Sequence, residues 1–153
     1  MNPASPLPPP VPVPLPRWAA RLGYAGLLPF AGLALASWLA PAAYRTQAAF
    51  ALLAYGATIA SFLGAIHWGL AMRGALTPQP GPFVWGVFPS LVAWVALLLP
   101  LTQGLVTLAL LLGICLAVDK RSYPAYGLGE WLGMRLHLTL VAALCLLGGS
   151  LAA

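Results

Sequence analysis

Polar residues are sparse along this chain, and where they do occur they divide it. Between them run five apolar stretches at about residues 22–40, 48–72, 83–99, 101–118 and 134–152. Most approach the ~20 residues that carry a helix across a hydrocarbon core of about 30 Å. The third is short and is expected to thin the bilayer or extend into the interface. A segment in lipid must satisfy its own backbone hydrogen bonds, which restricts each stretch to a helix. The pattern predicts an all-α, polytopic integral membrane bundle of five transmembrane helices.

Composition fixes the solvent. Hydrophobic residues make up 61 % of the chain, charged residues only 6 %, and the mean hydropathy is +0.92. A soluble domain carries about a quarter charged residues, so two acids and seven basic residues cannot clothe a water-facing surface. The formal net charge of +5 raises the question of nucleic acid, but the basic residues stand singly at the ends of apolar runs, with no basic stripe or recognition module. They read instead as topology signals and as contacts to anionic lipid headgroups. One side of the bilayer collects Arg17, Arg21, Arg73, Lys120, Arg121 and Arg135; the other holds Arg45 alone. That bias predicts a cytoplasmic N-terminus and a C-terminus on the opposite side. The expected location is the cell inner membrane, multi-pass, with the mitochondrial inner membrane as the alternative.

The connecting segments have their own character. The opening "MNPASPLPPPVPVPLP" is dense in proline, so residues 1–20 are expected to form a disordered, polyproline-like tail ahead of a five-helix domain over 21–153. The first apolar run is longer than the core of a signal peptide and lacks an early basic cluster before it, which favours a retained anchor. "DKRSYPAYGLGEW", residues 119–131, is the longest internal polar stretch; its Asp119, Lys120, Arg121 and Glu130 make it the candidate contact surface for a membrane partner. Pro29 and Pro89 are expected to kink their helices, with Ser90 placed to satisfy a freed carbonyl. Cys115 and Cys145 sit at different depths, by about 9 Å at ~1.5 Å rise per residue, and read as buried thiols rather than a disulfide.

The chemistry concentrates around "SFLGAIHWGLAMRG", residues 61–74. Gly56, Ala60 and Gly64 recur every four residues and form a flat ridge that lets another helix backbone approach. His67 follows three residues later and is expected to face protein, about 9 Å inside the end marked by Arg73. His137, Asp119 and Glu130 fall at the same membrane face. The candidate ligand or packing site is therefore His67, Trp68 and His137, with Trp94 deeper. In the simplest reading His67 hydrogen-bonds a neighbouring backbone carbonyl or hydroxyl and packs with Trp68, while His137 sits at the headgroup level. Alternatively, both histidines hold haem, or His67 meets the polar head of a quinone or lipid with Trp68, Trp85 or Trp94 lining the pocket. Transport is the weakest reading, since both acids are peripheral. No nucleophile–base set, phosphate loop or metal-ligand motif is present, so neither catalytic residues nor a metal site beyond that histidine pair is expected. The leading expectation is a non-enzymatic accessory or assembly protein of the membrane, against a binder of haem, quinone or lipid at a cytoplasmic-side pocket around His67 and His137.

Three segments carry a resemblance. "GLLPF", "LLAYGATIASFLGAIHWGLAM" and "GVFPSLVAW", in this order and spacing, resemble the small family that includes transmembrane protein 69 and many bacterial relatives. The similarity runs from about Arg21 to the end of the fifth helix, and "SFLGAIHWG" is its most specific piece. It implies a multi-span architecture and a bacterial or mitochondrial membrane location, and it brings no activity with it.

Overall fold

A computed structural model of the chain describes residues 11–74 and 80–153. Within them six α-helices follow one another: α1 (Arg17–Ala25), α2 (Leu27–Leu39), α3 (Ala42–Gly74), α4 (Pro80–Leu98), α5 (Leu101–Ser122) and α6 (Trp131–Ser150), with a short 3-10 turn at Tyr123–Tyr126. Taking α1 and α2 together, five segments are long and apolar enough to cross a membrane. Their outward residues, among them Leu28, Leu35, Phe62, Leu98, Leu110 and Leu144, are exposed. A water-soluble protein would not leave so continuous an apolar surface uncovered.

Prolines set the helix ends. Pro29 has no N–H to give the carbonyl of Ala25, so the first span breaks into α1 and α2 at Gly26 instead of bending at Pro29. The Gly26 N–H turns back to Leu22 and Gly23, and the Tyr55 hydroxyl donates to the Gly26 carbonyl at 2.9 Å. Ala40 and Leu99 precede Pro41 and Pro100, and proline disfavours the helical conformation in the residue before it; both chain reversals fall there. α4 begins at Pro80, earlier than the sequence pattern suggests. Pro80 and Pro82 lie in its first turn, where the missing donors would have had no partner. Pro89 remains inside α4, buried, and among the described residues no hydrogen bond from Ser90 is seen.

α3 is the hub, packed by α2, α4, α5 and α6. At 33 residues it is about 50 Å long, more than the hydrocarbon thickness, so it must tilt or project beyond it. Small residues let its neighbours close in. Gly56 lies against Leu108 and Leu146, Ala60 is fully buried, and Gly64 meets the backbone of Gly86. α4 turns Gly86, Pro89, Ala93 and Ala96 inward, a spacing of three and four that makes one helix face. Trp94 is one residue past Ala93, about 100° round the helix, and is 60 % exposed. The expectation that it packs deep in the protein is corrected: it faces outward. Cys115 and Cys145 are both free.

The leader departs from a free tail where it is described. Val13 N–H donates to the Gly127 carbonyl at 2.8 Å, and the Trp131 indole N–H donates to the Val13 carbonyl at 3.1 Å. Gly127 has φ +72°, and a side chain there would strike the Val11 carbonyl. A left-handed glycine thus makes the seat for an extended strap over residues 11–16. The rest of the proline-rich leader, residues 1–10, and residues 75–79 of the loop before α4 lie outside the described residues. Trp131→Phe removes one strap hydrogen bond while keeping a ring; hydrogen exchange of the Val13 amide is expected to quicken by about 2- to 10-fold, the worth of a typical hydrogen bond.

Candidate functional site

Three polar side chains from three helices meet inside one end of the bundle. On α5 the buried residues Leu105, Leu108, Leu112, Cys115 and Asp119 alternate steps of three and four, and the stripe ends on a carboxylate. On α6 the buried stripe begins with Arg135 and continues through Thr139, Ala142 and Leu146. On α3 the inward face that carries Gly56, Ala60 and Leu63 reaches His67. Antiparallel packing brings these three ends to one level.

Their geometry is saturated. Nε2 of His67 lies 3.0 Å from Oδ1 of Asp119. Arg135 donates from Nε at 2.8 Å and from Nη2 at 2.6 Å, both to Oδ2. A carboxylate beside a guanidinium is acceptor-only, so the His67 nitrogen facing it is the protonated one. Asp119 is 1 % exposed, His67 3 % and Arg135 7 %. Tyr123 and Trp85 flank the imidazole at ring-centroid distances of 6.2 and 6.4 Å. Charges at this depth persist because each is paired and hydrogen-bonded.

The placement of the other predicted residues differs from the expected pocket. Asp119 does not belong to an accessible partner loop: it is the centre of the buried cluster, while Lys120, Arg121 and Glu130 are exposed around it. His137 does not join His67. Two residues past Arg135 it points about 200° away round α6, is exposed, and lies with Nδ1 at 3.2 Å from the Tyr24 hydroxyl. A shared pocket or a haem held between the two histidines is therefore corrected: one imidazole is spent on Asp119 and the other is turned to α1. Trp68, though next to His67 in sequence, donates to the Phe83 carbonyl at 2.7 Å and packs on the bare backbone of Gly86. Among the described residues no three His, Cys, Asp or Glu side chains converge as a metal set would.

Beside the cluster is a cleft that no sequence feature announced. The break at Gly26 leaves α1 lightly packed, and between α1–α2, α3 and α6 a space of about 280 Å³ opens. Its walls are apolar: Leu22, Phe30, Ile59, Leu63, Leu138 and Ala142. Its polar members are Tyr123, Arg135 and Thr139; neither histidine lines it. The Thr139 hydroxyl is buried and, among the described residues, has no hydrogen-bond partner. Trp131, which holds the strap, is also among the lining residues.

Five apolar spans enclosing a hydrogen-bonded ion cluster define a multi-pass, all-helical membrane protein. The chain belongs to the family described as a protein of unknown function, DUF3429, whose model matches residues 15–151. It is similar to transmembrane protein 69 of Xenopus tropicalis, 37 % identical over 141 residues, which cover 87 % of this chain and 53 % of that protein. The chain thus spans about half the length of the curated relative it matches. No solved structure matches it.

Proposed function

We propose that this is a non-enzymatic accessory protein of the inner membrane that holds an amphipathic, lipid-soluble molecule in the cleft between α1–α2, α3 and α6. The observation that carries the reading is the cleft itself: an apolar space of about 280 Å³ with three polar members, Tyr123, Arg135 and Thr139. Sites for small molecules have this make-up, largely apolar walls with a few convergent polar groups. The ion cluster supports a non-enzymatic role. His67, Asp119 and Arg135 are committed to one another, and Asp119 has both oxygens engaged. Six basic residues against one support a cytoplasmic N-terminus. The exposed Lys120, Arg121 and Glu130 would meet anionic headgroups or a membrane partner.

Leu138→Trp tests the reading. Leu138 lines the cleft and is half-buried, so an indole there can fill the space without entering the tight core. Mass spectrometry of gently purified protein is expected to find an amphiphile at near one per chain in the wild type and a small fraction of that in the variant. Equal amounts in both would refute the cleft as the holding site.

A further inference from the structure

We infer that the molecule held in the cleft is a neutral, ring-ketone amphiphile of the isoprenoid quinone class, with a ketone oxygen accepting from Thr139. The inference rests on the proposed binding role and specifies the head that the site selects. Five other helical hydroxyls, those of Ser37, Thr58, Ser61, Ser122 and Ser150, donate to a carbonyl three or four residues back. Thr139 stands on a helix with the same option and, among the described residues, does not take it; Thr46, Ser90, Thr102 and Thr107 do not either, but none of these is buried. It is 5 % exposed, and a hydroxyl buried without a partner costs roughly 1–3 kcal/mol. It is also a cleft-lining residue. Threonine in a helix has two accessible χ1 wells, so a rotation can present its hydroxyl to an occupant.

The neighbours decide what that occupant offers. Arg135, which lines the same cleft, is donor-only, so a head that carries acceptor atoms suits these surroundings. Asp119 already balances the guanidinium charge, so an anionic head would bring a surplus negative charge into a low-dielectric space. The acceptor is therefore uncharged. Thr139 lies eight residues beyond Trp131, about 12 Å deeper along α6, below the level at which an interfacial lipid keeps its headgroup. Size agrees with a single ring: a cavity of about 150 Å³ accommodates benzene, and 280 Å³ takes one substituted ring and the start of a tail.

The test uses the full chain in phosphatidylcholine nanodiscs, with decylubiquinone as probe, measured by equilibrium dialysis against empty discs. One saturable site is expected. Thr139→Val, which keeps the shape and removes the hydroxyl, is expected to weaken that site about 2- to 10-fold while melting no lower than the wild type. A purely structural threonine would not lower affinity without loss of stability. Phosphatidic acid added to the discs is expected to leave quinone binding unchanged. Unchanged affinity in Thr139→Val, or displacement of the quinone by phosphatidic acid, overturns the quinone assignment. If no quinone site is found but Leu138→Trp still strips a co-purifying amphiphile, the ligand class is wrong and the binding role stands. If neither is seen, both fall.

Discussion

An Arg135→Met protein is expected to melt far below the wild type, because the substitution strands a buried carboxylate. Methionine fills much of the arginine's volume and suits the apolar surroundings, so packing alone predicts little loss. The loss is electrostatic. Arg135 makes two charge-assisted hydrogen bonds to one oxygen of Asp119, and Asp119 is 1 % exposed. Removing one partner of such a pair costs about 3–5 kcal/mol, because the other charge stays buried without compensation. Replacing the whole cluster with apolar residues of similar size is often neutral. The triple variant His67→Phe, Asp119→Leu, Arg135→Met should therefore recover most of the stability that the single variant loses. Thermal unfolding in mild detergent, followed by loss of the monodisperse species, measures both. A single variant that melts with the wild type would mean that the cluster does not lock α3, α5 and α6 together.

Gly64→Leu should separate α3 from α4. A Cβ at Gly64 would fall on the carbonyl oxygen of Gly86, with the Pro89 ring at 3.3 Å. Neither backbone nor proline ring can swing aside as the end of a flexible side chain does, so the helices must part. Overpacking a core costs about 1–3 kcal/mol and occasionally more. Here it also undoes the seat of Trp68, whose indole rests on Gly86 and bonds to Phe83. In lipid, helices associate through close packing instead of apolar burial, so a lost close approach has no substitute. Cysteine cross-linking between exposed positions of α3 and α4 is expected to fall sharply in the variant. Gly69→Leu is the control, since among the described residues nothing lies within 4 Å of a Cβ at Gly69.

Much of the ion cluster was written in the chain, although its members read more readily as something else. Asp119 stands at the start of a polar stretch, and Arg135 counts as a topology signal. Yet each continues an apolar stripe, Asp119 after Leu105, Leu108, Leu112 and Cys115, and Arg135 before Thr139, Ala142 and Leu146. Extending the periodicity by one step places both inside. Adjacency in sequence misleads for the same reason: neighbouring residues on a helix point about 100° apart, so Trp68 and His137 leave the site that His67 and Arg135 enter. The cleft had no such signal. It arises where α1–α2, α3 and α6 come together without filling the space between them, which depends on helices distant in the chain meeting.

What the sequence determined by itself was the solvent, the helical state and the five spans, because lipid permits one way to satisfy a backbone and hydropathy reports which residues enter it. Tertiary packing alone decided that Asp119 pairs with Arg135 and His67, that the two imidazoles part, and that Thr139 is left without a partner beside an open cleft. Those outcomes turn on the rotation and height of one helix against another, which are set by contacts between residues far apart in the chain.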